Sequence, residues 1–322
     1  MQDGKRNTLG EMGVVIRTER LTKRFERLTA VQDLDLEVRE GEIFGFLGPN
    51  GAGKTTTLRL LCALIAPTSG TAEVAGFRLG SQDEQIRASV GILTEQPGLY
   101  ERQSAEDNLL FFATLFGLSP TVAREQTARY LRLMGLWDRR TEAVATFSRG
   151  MKQKMAIARA AIHEPRIIFL DEPTTGLDPD AARTVREFIA QIRGEGRTVF
   201  LCTHNLDEAD RLCDRIAFFR RSMIRIDTPA HLRAELYGHA TEFRILPSPR
   251  PEHLVKVQQV DGVKDAHLEN GSIVASSADP LLVNPRIVRA LVGAGAEVAY
   301  VSDRKVSLED VYLRVVEGEG SE

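Results

Sequence analysis

Gly41-Glu42-Ile43-Phe44-Gly45-Phe46-Leu47-Gly48-Pro49-Asn50-Gly51-Ala52-Gly53-Lys54-Thr55-Thr56 is the stretch that decides the fold. Its first half is a short apolar run of the kind that forms a strand buried on both faces. Its second half is a glycine-rich turn that opens a helix running from Lys54 to about Leu64. The turn fits the pattern G-x-x-x-x-G-K-[ST] between a strand and a helix, the context that pattern requires. Glycines let backbone N–H groups close around phosphate oxygens, and the helix N-terminus adds partial positive charge. Gly48, Pro49, Asn50, Gly51, Ala52, Gly53, Lys54, Thr55 and Thr56 are therefore expected to cradle the phosphates of ATP or GTP. Lys54 would reach the β- and γ-phosphates, and the Thr55 hydroxyl would ligate Mg²⁺.

Two further apolar runs end in chemistry. Arg166-Ile167-Ile168-Phe169-Leu170-Asp171 ends in an acid, and Thr198-Val199-Phe200-Leu201-Cys202-Thr203-His204 ends in a histidine. Read as buried parallel strands, these two and the first bring their polar ends to one carboxyl edge, where open α/β sheets bind ligands. Asp171 is then a metal-holding acid, and Glu172, beside it, is the candidate general base that orients and deprotonates the attacking water. Taken alone, Asp171-Glu172 ahead of Pro173 could equally be a helix-capping acid pair. A lone histidine at a strand end is more often structural, but Thr203-His204-Asn205 closes a strand on the same catalytic edge.

The remaining composition sets bounds. With 322 residues the chain is long enough for a large domain and a smaller second one. A formal charge of −3 from 42 basic and 45 acidic residues offers no field for nucleic acid, so no nucleic-acid partner is expected. Cys62, Cys202 and Cys213 are widely spaced, with no metal-ligand pattern, and read as reduced apolar side chains. No run of about 18 apolar residues is present, so any membrane must be crossed by another chain. Residues 1–13 read as a polar, flexible tail without the apolar core of a signal peptide, which implies a cytoplasmic protein. Short apolar runs alternate with helical stretches over 14–238. After Gly238 the pattern changes to strand, helix, two strands, helix beginning at Pro285, and strand, a βαββαβ order that matches a small ferredoxin-like unit over 239–322.

Thr146-Phe147-Ser148-Arg149-Gly150-Met151-Lys152-Gln153-Lys154 lies just before the acid-ending strand. Together with the phosphate loop and Asp171-Glu172, it makes the chain resemble an ABC ATPase over roughly residues 14–236. That resemblance implies an α/β P-loop fold with a mostly parallel core sheet, an antiparallel subdomain and a helical subdomain. It implies a homodimer, because this segment presents Ser148 and Gly150 to the γ-phosphate bound by the opposite subunit. The commonest form of the family has Gly at 149 and Gln at 151, so Ser-Arg-Gly-Met is a variant, one familiar among exporter ATPases. Gly176-Leu177-Asp178 resembles the loop that passes between subunits, and His204 the switch histidine on the γ-phosphate. Phe25 corresponds to the aromatic residue that stacks on adenine, with Val31 as a nearby apolar wall; core packing remains open for Phe25. The family's metal-contacting glutamine aligns with Glu95, and Gln96 comes one position later.

Tyr100 and the helix over 104–116 correspond to the region that receives a permease's cytoplasmic helices, while Leu109, Leu110, Phe112 and Leu115 are expected to face the chain's own core in part. Ser307-Leu308-Glu309-Asp310-Val311-Tyr312-Leu313 resembles the closing segment of drug- and sodium-exporter ATPase subunits. The resemblance thus implies an ATP-hydrolysing subunit working with ATP and Mg²⁺, peripheral on the inner face of the cell membrane through an integral membrane permease. Two other readings are a soluble ABC ATPase without a transport role and an importer ATPase. The short interval between Lys54 and Asp171 leaves no room for the long coiled coil of chromosome-maintenance relatives, and the chain has a single cassette where translation factors have two.

Overall fold

The computed structural model describes residues 13–26, 28–94, 98–237, 239–304 and 307–319. Most of the tail read over 1–13 lies outside this set, as do Glu95, Gln96 and the boundary residue Gly238. The chain divides into two compact units, 1–227 and 228–322.

The first unit opens with a long antiparallel hairpin, β1 (Val14–Phe25) and β2 (Leu28–Arg39), which joins β4 (Ser69–Val74) and β5 (Phe77–Arg78) in a sheet ordered β2-β1-β4-β5. The second sheet is the one anticipated from the apolar runs. It contains β3 (Ile43–Leu47), β6 (Val90–Leu93), β7 (Ile167–Asp171), β8 (Thr198–Thr203), β9 (Arg215–Arg220) and β10 (Ser222–Asp227), ordered β10-β9-β3-β8-β7-β6. All its pairings are parallel except β9 with β10. Every residue of β3, β7 and β8 is buried, which is why these runs carry no polar alternation. Phe200 forms the centre of a tilted aromatic cluster with Phe44, Phe46 and Phe169.

Helices α1 (Lys54–Leu61), α2 (Asp83–Ser89), α6 (Pro179–Gly194) and α7 (Leu206–Leu212) accompany this sheet, and α3 (Ala105–Leu115), α4 (Pro120–Leu133) and α5 (Arg149–Ala161) pack on one another as a helical layer. Capping decides where several of these helices begin. The side chains of Ser104, Ser119, Ser148, Asp178 and Asn205 each accept a backbone N–H from the first turn of α3, α4, α5, α6 and α7. Leu109 is buried on α3 as expected, but Leu115 is 67% exposed, so the expectation that it faces the core does not hold.

The second unit comprises α8 (Pro229–Tyr237), β11 (His239–Leu246), α9 (Pro251–Gln258), β12 (Val263–Glu269), β13 (Ser272–Ser277), α10 (Pro280–Gly293), β14 (Glu297–Asp303) and α11 (Leu308–Glu319). Its sheet is ordered β12-β13-β11-β14 and is wholly antiparallel, the ferredoxin-like arrangement anticipated from the βαββαβ pattern. Phe243, Ile245, Ile273, Ile287 and Leu291 centre its own core. One boundary differs from expectation. α10 begins at Pro280 and runs through Pro285, with the Asp279 carboxylate capping Leu282 N–H at 3.3 Å. Pro285 stands early in the helix, where its missing N–H removes one bond of the second turn without ending the helix.

Candidate nucleotide site

The carboxyl ends of β3, β7 and β8 lie side by side, with Leu47 in register with Thr203 and Asp171 with Cys202. A cleft of about 560 Å³ opens at this edge, lined by the loop from Pro49 through Thr56 and by Asp171, Glu172 and His204. Four groups separated in sequence by up to 155 positions are thus brought together by strand order alone.

No side chain caps the helix that follows the loop. Gly53 is the N-cap of α1 at φ 107°, makes no side-chain cap bond, and a β-carbon there would stand 2.2 Å from the Ala30 carbonyl oxygen. Any other residue would clash, and the usual capping residues would compete for the N–H groups that a phosphate takes. The Lys54 ammonium is buried, donates to the Gly48 carbonyl at 2.7 Å and lies 3.4 Å from Glu172 Oε1. The Thr55 hydroxyl donates to Asp171 Oδ2 at 2.7 Å. One hydroxyl and one carboxylate are hard oxygen donors, and at this separation they suit a shared Mg²⁺.

Glu172 sits at φ 48°, in the left-handed region, with its N–H donating to the Cys202 carbonyl at 2.9 Å. A non-glycine residue held there is strained, and such strain gathers where a side chain must be aimed. Its Oε1 lies 2.7 Å from His204 Nδ1, and its Oε2 accepts from the Thr175 hydroxyl at 2.9 Å. The carboxylate is therefore held from three sides, by lysine, histidine and threonine. Behind it, burial raises the pKa of Glu208, whose Oε2 accepts from Thr174 at 2.8 Å.

Ser148, Gly150, Asp178, Val31 and Phe25 lie outside this cleft wall. Ser148, Gly150 and Asp178 line a separate small pocket with Met151, Lys154 and Asp180; there burial lowers the pKa of Lys154, against the pull of Asp178. Val31 is fully buried in the core, and the strand alternation turns Leu28 and Ala30 to the cleft in its place. Phe25 is 45% exposed, pairs with Leu28 across the hairpin and carries the Lys23 ammonium over its ring at 5.0 Å. Sequence reasoning did not find Thr94, Arg149, Gln153, Thr175 or Arg221, all of which line the cleft. Arg221 has no motif to mark it. It arrives through β9, whose neighbour β3 ends in the phosphate loop, and Arg221 N–H donates to the Ala52 carbonyl at 2.8 Å.

A glycine-rich loop on a helix N-terminus, a metal-holding acid with a carboxylate next to it, and a histidine on the adjacent strand end define a P-loop nucleotide hydrolase. Residues 31–175 match the ABC transporter family. A daunorubicin resistance ATP-binding protein of Streptomyces coeruleorubidus is 34% identical over 306 residues, which is 94% of this chain and 95% of that protein. A bacitracin transport ATP-binding protein of Bacillus licheniformis is 32% identical over 308 residues, 95% of this chain and 99% of that protein. Among solved structures, an ATP-binding subunit of an ABC transporter superposes with a TM-score of 0.65 at 30% identity, covering 70% of this chain and 94% of that one. The chain belongs to the ABC transporter ATP-binding subunits.

Proposed function

We propose that this chain hydrolyses ATP to drive export of a drug-like or antibiotic compound through a separate integral membrane permease. The observation that carries the chemistry is Glu172, aimed by a strained backbone and held between Lys54, His204 and Thr175 beside the Thr55–Asp171 pair. In this reading the loop binds the phosphates, Lys54 neutralises them, Glu172 takes the proton of the attacking water and His204 orients Glu172. Thr55 and Asp171 would hold Mg²⁺, which supplies charge neutralisation on the phosphates. Glu95, whose alignment suggests a further metal contact, lies outside the described residues.

Two observations support the partners. Ser148, Gly150 and Asp178 open on a pocket apart from the cleft, which suits contribution to the site of a second copy in a head-to-tail homodimer. Tyr100, Phe111, Leu115 and Phe116 are exposed, with Tyr100 and Phe111 in edge contact at 5.0 Å, which suits docking of the permease's cytoplasmic segments. No described helix is long and apolar enough to cross a membrane, in keeping with a chain held peripherally at the cytoplasmic face by its permease. The export direction rests on the drug-resistance and antibiotic-transport relatives.

Glu172→Gln tests the chemistry. Loss of the base should lower ATP turnover by about 10²-fold or more while nucleotide affinity stays near native. Near-native turnover would assign the base elsewhere.

A further inference from the structure

Arg149 stands where the commonest signature sequence has glycine, and the proposed mechanism gives it no task. It is the first residue of α5, directly after the capping Ser148, so its side chain leans back past the helix start. There its guanidinium rests on Gly176. A β-carbon built on Gly176 would stand 2.8 Å from both Cζ and Nη2 of Arg149 and 3.0 Å from Nη1. Three near-equal distances mean that the planar group lies face-on over the glycine, leaving its N–H edges pointing outward in the plane. Gly176 itself is at φ 72°, a left-handed conformation that disfavours any side chain there.

Arg149 also lines the cleft of its own chain, together with Lys54, Glu172 and Thr175. Among the described residues the structure gives it no hydrogen bond and no ion pair. Of the acids lining the same cleft, Asp171 accepts from the Thr55 hydroxyl and Glu172 is engaged by Lys54, His204 and Thr175. An exposed, oriented and unanswered guanidinium at the wall of a phosphate cleft has the fork geometry that binds phosphate oxygens in pairs. The negative charge it can answer is that of the nucleotide itself. Elsewhere among phosphate-transferring enzymes, arginine on a γ-phosphate is supplied either by the same chain or by a partner.

We infer that Arg149 is a γ-phosphate receptor for the cleft of its own chain, making this signature variant distinguish ATP from ADP before a second subunit arrives. The inference rests on the nucleotide-cleft reading above. ADP, which lacks the γ-phosphate, gains nothing from it.

The test is calorimetric titration of the full chain with ATP and with ADP, at a concentration where sedimentation shows a monomer. Arg149→Gly should lower the ratio of ATP to ADP affinity about tenfold, chiefly through ATP. Arg149→Lys, which keeps charge without the fork, should fall between. An unchanged ratio in Arg149→Gly overturns the inference. The titration is then repeated, at concentrations where sedimentation shows association, with Arg149→Gly chains in excess Lys54→Ala chains, which retain their own Arg149. ATP affinity that stays weak supports action within the chain, and affinity restored to native shows that the arginine acts across subunits, which overturns it. Lys54→Ala alone should bind neither nucleotide; if it binds both, the cleft reading fails, whatever Arg149 does.

Discussion

His163, in the turn after α5, stacks on Phe116 with centroids 3.7 Å apart, and its Nε2 donates to the Val90 carbonyl at 3.2 Å. Among the described residues its Nδ1 is buried without a hydrogen-bond partner, so a second ring proton there would be a charge with no acceptor. Burial accordingly lowers its pKa from 6.5 to about 4, and the charge of Arg197 pushes the same way. The folded state binds this proton less readily than the unfolded chain, so stability from this site is full above about pH 6.5 and declines as pH falls towards 4. Urea midpoints measured across that range should fall on acidification, and His163→Phe, which keeps the stack and loses the titration, should flatten the decline. The catalytic residues were legible in sequence because each closes an apolar run or a glycine turn, where local chemistry suffices. Leu28, Ala30 and Arg221 were not, since they reach the cleft only by strand pairing that no single segment encodes.

At the scale of elements, the tightest glycine contact among the described residues joins β6 to α5. A β-carbon on Gly91 would stand 1.9 Å from the Ala160 carbonyl oxygen. Backbone cannot yield as a side-chain tip can, so Gly91→Ala should destabilise the first unit by about 3 kcal/mol, seen as a lower urea midpoint with an unchanged slope. The buried parallel strands were readable from their unbroken apolar runs. The β1–β2 hairpin was harder to delimit, because its register slips repeatedly and its burial does not alternate cleanly. Pro285 misled for a related reason. Proline marks a helix start well when read alone, yet the capping Asp279 and Pro280 upstream outweigh it. α11 carries the i, i+3, i+4, i+7 face foreseen from Leu308, Val311, Tyr312 and Val315. Leu308 and Val311 are buried, and the helix packs on α8 of the same unit.

For the whole molecule, the two cores draw on separate stretches of chain, the first spanning Val15 to Phe219 and the second Phe243 to Ala296. A chain ending at residue 227 keeps every residue of the cleft. It should bind ATP within about twofold of the full chain, while self-association or permease-coupled turnover weakens. Calorimetry and sedimentation check the two halves of that statement, and unchanged association would remove the second unit from the dimer. The head-to-tail pairing has its own check. Ser148→Cys and Asn50→Cys placed in separate chains should join under ATP when the signature segment of one copy meets the phosphate loop of the other.

All three native cysteines are buried, with relative exposures of 1%, 0% and 8% for Cys62, Cys202 and Cys213, and burial pushes their thiols further from the reactive thiolate. The unaltered chain is therefore a silent background for maleimide chemistry. A fluorophore that reacts with thiols will ignore the native protein and mark only molecules whose first unit has opened, so with the purified chain the rate of labelling becomes a clock for transient unfolding without engineering a single residue.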